Sequence, residues 1–136
     1  MSEEVRVSQA QSQPPFVENG IPPDVRSYAT FTHIVPLISH LGGPIVVPIV
    51  AAIIMWQIKK DQSPFIDDHG REAVNFQISL AIYWLVVIPL FTILTCGILA
   101  VLFIPLLVLN VAGCVLAAKA AHRGEYYRYP MSIRFL

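Results

Sequence analysis

The sequence predicts an all-α integral membrane protein: a small bundle of two helical hairpins, with three to four membrane helices, behind a disordered N-terminal tail. The first observation is charge placement. Residues 27–58 and 73–118 carry no Asp, Glu, Lys or Arg, so all charges fall in the N-terminal tail, in 59–72 and after residue 118. The second is length, since a helix crosses the hydrocarbon core with about 20 apolar residues and the longer stretch holds two crossings. The third is composition. A chain of 136 residues that is 55% hydrophobic makes one domain, its core helix on helix in lipid. The formal net charge of +0 gives no electrostatic footprint for nucleic acid, and the acidic start Met1-Ser2-Glu3-Glu4 is unlike the basic head of a secretory signal.

Taken in order, residues 1–26 hold Gln, Ser, Asn and Pro14, Pro15, Pro22 and Pro23 with few large apolar side chains, a composition that leaves a solvated cytoplasmic tail. The membrane domain is expected over 27–121. Its first stretch exceeds one crossing yet is short for two. Gly42-Gly43-Pro44 lies near its centre, where two glycines and a missing backbone donor break a helix, giving helices of about 25–41 and 44–59. The alternative is one kinked span over about 37–58 preceded by an interfacial helix. Residues 59–72 form a polar connector with Ser63-Pro64 and His69-Gly70 as turn signals. Thr95-Cys96-Gly97 divides the second stretch into helices of about 72–94 and 98–121. Residues 122–136 are basic and aromatic, as suits a headgroup interface. Cys96 and Cys114 lie roughly 27 Å apart along one helix, beyond disulfide reach.

With two hairpins every Lys and Arg lies on one face, which the positive-inside rule makes cytoplasmic; with three spans Arg6 and Arg26 lie outside. Both versions put 59–72 and the C-terminus in the cytoplasm.

Asp68, Glu72, Asn75, Ser79 and Tyr83 fall on one face of a helix and form a polar stripe entering the bilayer. Polar groups in lipid need partners, so this face points at another helix or at a water-filled cavity. Asn110, Gly113, Ala117 and Ala121 make a small-residue packing face on the last helix, and Asn110 is expected to meet Ser79 and Tyr83. Asp67, Asp68, His69 and Glu72 are weak metal-ligand candidates, because Lys59, Lys60 and Arg71 compete for the carboxylates. A solvated, helix-capping cluster is the plainer reading, and no metal is expected. His33 and His40, seven apart, share a helix face; they read as packing histidines before a proton relay or cofactor site. No nucleophile motif, glycine-rich phosphate loop or paired-cysteine motif appears. The expectation is a protein that is not an enzyme and carries no cofactor.

His33, Leu41-Gly42, Pro48 to Trp56, Lys59-Lys60-Asp61, Ser63-Pro64-Phe65, His69 to Gln77 and Tyr127-Arg128-Tyr129-Pro130 together resemble a widespread family of small bacterial membrane proteins of uncharacterised function. That family is similar to the chloroplast inner-envelope import translocon subunit and to magnetosome membrane proteins that influence magnetite crystal growth. The resemblance spans about 28–130. It implies a multi-pass protein of the bacterial inner membrane and a bundle that self-associates, assembles around a passage or meets iron through an acidic loop. The tail and the additional Pro36 and Pro44 depart from its pattern. The expected partners are the lipid bilayer and either further copies of the chain or a larger membrane complex, in which it is an accessory subunit. A channel or protein-translocation component is the alternative, and a membrane enzyme the remotest one.

Overall fold

The computed structural model describes residues 20–95, 97, 101 and 103–136; the expected tail lies outside them as far as residue 19, as does Cys96. The chain is an all-α bundle of four helices, with no β-strand among the described residues. Helix α1 is Pro23–Ser39, α2 is Val46–Lys59, α3 runs over Pro64–Leu94 and α4 is Phe103–Arg123.

Proline sets most of the boundaries. Pro23 opens α1, where its lacking N–H costs no hydrogen bond. Pro36 inside α1 removes the bond to the residue 32 carbonyl, and α1 ends three residues later. Gly42 to Ile45 join α1 to α2, and a single 3-10 turn, Lys60–Gln62, joins α2 to α3. Ser63-Pro64, a turn signal in the sequence, is a helix start: the Ser63 side chain accepts from the Phe65 N–H at 3.2 Å and Pro64 takes the first helical position. Helix α3 therefore begins at Pro64, well before the end of the polar connector, and carries Asp67 in its first turn, where the helix dipole favours an acid.

Further along α3, Tyr83–Val87 form a π-helical turn. Pro89 explains it, because its ring clashes with the carbonyl four residues back and the helix widens to relieve the clash. The helix resumes over Ile88–Leu94, and Gly97, at φ 94°, turns the chain towards α4.

His69-Gly70 is likewise no turn. It lies inside α3, and a Cβ on Gly70 would run into Cγ of Trp56 at 2.7 Å, so the glycine lets α2 and α3 approach. The Trp56 Nε1–H then donates to Asp67 at 2.7 Å.

Helix α1 packs against each of the other three, whereas direct packing of α3 on α4 is sparse. Phe76, Leu80, Ile88, Leu106, Cys114 and Ala117 form the main core together with Tyr129 from beyond α4.

Helices α3 and α4 are long and apolar enough to cross a membrane; α1 and α2, at 17 and 14 residues, are shorter. The outer faces of α3 and α4 are lined by exposed Leu85, Leu90, Phe91, Leu107, Val111 and Leu116, a surface suited to acyl chains rather than water.

Candidate functional site

The polar stripe of α3 is covered by the chain's own C-terminal segment. Helix α4 ends in a Schellman motif: the Gly124 N–H donates to the Ala121 carbonyl at 3.1 Å and the Glu125 N–H to the Ala120 carbonyl at 2.9 Å, with Gly124 at φ 79°. This turn sends residues 125–136 back along α3 as a strap.

The strap meets the stripe rung by rung. Arg128 grips Asp68 with two hydrogen bonds of 2.6 and 2.8 Å, a fork-on-carboxylate pair that holds the guanidinium above its ordinary pKa. Glu72 accepts from Arg134 Nε at 3.2 Å and from the Tyr129 N–H at 3.3 Å. The Asn75 side-chain oxygen receives the N–H groups of Phe135 and Leu136 at 3.0 and 3.1 Å. Ser79 accepts from the Ile133 N–H at 2.7 Å, and the Tyr83 hydroxyl donates to the Met131 carbonyl at 2.6 Å. An extended strap without a ladder of its own exposes backbone N–H and C=O groups that need partners inside an apolar bundle, and the stripe supplies them.

A second polar chain runs beside the first. His69 and His33, 0% and 1% exposed, are joined at 2.9 Å between His69 Nδ1 and His33 Nε2. His69 Nε2 lies 2.9 Å from the Glu125 carbonyl, and His33 Nδ1 lies 2.8 Å from the Tyr129 hydroxyl. One proton arrangement satisfies all three contacts with neutral rings. The carbonyl is only an acceptor, so His69 Nε2 carries hydrogen and its Nδ1 accepts; His33 then donates from Nε2 and accepts at Nδ1 from the tyrosine hydroxyl. Burial holds the Tyr129 phenol well above its ordinary pKa, which keeps it a donor. The chain thereby locks α1, α3 and the strap to one another.

The expected site residues are divided differently from their reading in the sequence. Asp68, Glu72, Asn75, Ser79 and Tyr83 do share a face, but that face meets the strap. Asn110 does not pair with Ser79 or Tyr83; its side-chain oxygen accepts from Cys114, whose sulfur lies 3.8 Å from Gln77 Nε2. The small face of α4 is used within the chain. A Cβ on Gly113 would sit 3.1 Å from Phe76 and 3.2 Å from the Tyr129 ring, and Ala117 and Ala121 are buried inside the bundle.

The weak metal candidates each have protein partners: Asp67 holds Trp56 and Arg71, Asp68 holds Arg128, Glu72 holds Arg134, and His69 holds His33. Among the described residues no group of three or more such side chains is placed to hold a metal ion. His40 does not join His33; it bonds the Pro36 carbonyl.

Sequence reasoning missed the partnership of His33 with His69 and the role of Tyr129. The available signal was two histidines in otherwise apolar or helical surroundings and a tail with arginines to match the acids of α3.

No curated protein and no solved structure matches the chain. Residues 24–136, which include all of α3, α4 and the strap and nearly all of α1, match the family model MamF_MmsF, described as the magnetosome magnetite crystal formation protein family. With most of its length matched, this small membrane protein belongs to the magnetosome magnetite crystal formation protein family.

Proposed function

We propose that the protein is a non-catalytic membrane scaffold that associates with copies of itself or packs beside a larger membrane complex. The family's description supports placing that complex in the bacterial membrane at which magnetite crystals form. The observation that carries the reading is the closure of the polar stripe by the strap. Each of its five side chains is hydrogen-bonded to residues 128–136, so the stripe stabilises a rigid module and leaves no open polar path between α3 and α4.

With the interior closed, partners meet the outer apolar faces of α3 and α4. That surface replaces the Gly113 face as the place of assembly. In the proposed arrangement α3 and α4 span the inner membrane, the α1–α2 hairpin enters from the cytoplasmic side, and 59–62 lie on that side together with the start of the strap, which runs from there into the bundle along α3 as far as Tyr83.

Crosslinking in native membranes, followed by sizing in mild detergent, tests the proposal. Dimers, larger species or a captured neighbour are expected, and capture of monomer alone overturns it. The channel reading is decided separately in planar bilayers, where the scaffold gives no conductance and discrete current steps would replace it with a passage.

A further inference from the structure

A groove of about 390 Å³ lies between α1 and α4. Its character changes along its length. Ile34 and Leu37 of α1 and Val115 of α4 line the deep part, while Thr30, Lys119 and Arg123 line the mouth. The helices are antiparallel here, since the Thr30 hydroxyl reaches the Ala118 carbonyl at 3.4 Å while Leu37 packs against the core around Cys114. The groove thus runs about two helical turns, roughly 11 Å, from a cationic rim into the apolar belt.

The rim has more positive charge than the chain neutralises. Arg123 is paired with Glu125 at 2.7 Å. Lys119 is exposed and forms no ion pair among the described residues. His122 is a further donor at the mouth. Arg26, one turn before Thr30 on the same face of α1, has a buried Nε with no hydrogen-bond partner among the described residues.

The geometry points to a binding site for an anionic phospholipid, with one acyl chain lying along Ile34, Leu37 and Val115 and the phosphate held at the rim by Lys119, beside Arg123 and His122. Basic pockets between membrane helices at the headgroup level recognise anionic lipids in this way. The apolar depth specifies a lipid, because a free phosphate has nothing to place there. The site is separate from the scaffold reading and stands whether or not the protein self-associates.

The full chain in neutral detergent is titrated with short-chain phosphatidylglycerol, with phosphatidylcholine of the same chains and with glycerol phosphate, and bound lipid is read by native mass spectrometry. Phosphatidylglycerol should be retained about tenfold or more over phosphatidylcholine, and glycerol phosphate should not be retained. Lys119→Gln, at an exposed position where folding is safe, should weaken phosphatidylglycerol retention about fivefold. Ile34→Trp should abolish it by filling the groove, and Val115→Phe repeats that test from the opposite wall should the first variant melt early. Equal retention of the two lipids, glycerol phosphate retained as well as phosphatidylglycerol, or an unchanged Lys119→Gln each overturns the site.

Discussion

Tyr129 does two separable things: its ring stacks on Phe76 at 3.9 Å with 11° between planes, and its hydroxyl donates to His33. Tyr129→Phe keeps the stack and removes only the donor, leaving His33 Nδ1 buried without a partner, a loss of about 1–3 kcal/mol. The measurement is reversible unfolding in detergent, run as a double-mutant cycle with His33→Leu. In the His33→Leu background the hydroxyl keeps only the weakly accepting Cys114 sulfur, so the second substitution should cost much less than the first. Equal costs in the two backgrounds would mean that the Tyr129–His33 bond contributes nothing and that the histidine chain is packing alone. Little of this chain could be read from the sequence. A seven-residue spacing pairs His33 with His40 on paper, but Pro36 ends α1 soon after, and the true partner, His69, is brought alongside only by the packing of α1 on α3.

At the scale of the element, the informative contrast is between α3 and the strap. The stripe on α3 was legible because helical periodicity places Asp68, Glu72, Asn75, Ser79 and Tyr83 on one face whatever the rest of the chain does. What covers it was not, since the strap is irregular and has no period to read. Its basic and aromatic residues suit a headgroup interface as well as they suit the acids of α3, the half-buried Asp68 and the buried Glu72. The start of α3 was obscured in a related way: Ser63-Pro64 and His69-Gly70 are as good for a cap and a close helix crossing as for turns, and only the proximity of Trp56 decides the second.

The same contrast fixes what Gly113 does. Since the space a side chain would need is filled by Phe76 and Tyr129 of the same chain, Gly113→Leu overpacks the monomer at a cost of about 1–3 kcal/mol. The melting temperature should fall and residues 125–136 should become open to protease, while the oligomer distribution stays as it is. Leu107→Ile, on the exposed face of α4, serves as the nearly silent control. A changed oligomer distribution with unchanged melting would return the small face to the role of an interface between copies.

For the whole molecule, the helical class followed from charge placement, yet the number of crossings did not, because residues 27–58 are too long for one span and short for two, and the Gly42-Gly43-Pro44 break that favours two leaves one kinked span as the alternative. The packing supplies the missing argument. The start of α1 lies beside the end of α4, where Val25 and Ala29 join Phe65 and Ala121 in one cluster, and the end of α2 leads through a single 3-10 turn into the start of α3. Both ends of the α1–α2 hairpin therefore sit at the end of the bundle that carries Arg26, Lys59, Lys60, Arg123 and Arg128. Helices of 17 and 14 residues rise about 26 and 21 Å, less than the roughly 30 Å hydrocarbon core, so the Gly42 turn stops short of the far surface. The topology we propose, which follows the positive-inside rule, has that whole end in the cytoplasm. In a background lacking Cys96 and Cys114, a cysteine replacing the exposed Asp61, and separately one replacing Leu41 at the α1–α2 turn, should both stay unlabelled by an impermeant maleimide added to intact cells, and a tag on Ser2 should be reached only after lysis. Labelling of Asp61→Cys from outside would invert the molecule. An external Ser2 tag with a protected position 61 would instead leave a single crossing between them and favour the three-span arrangement.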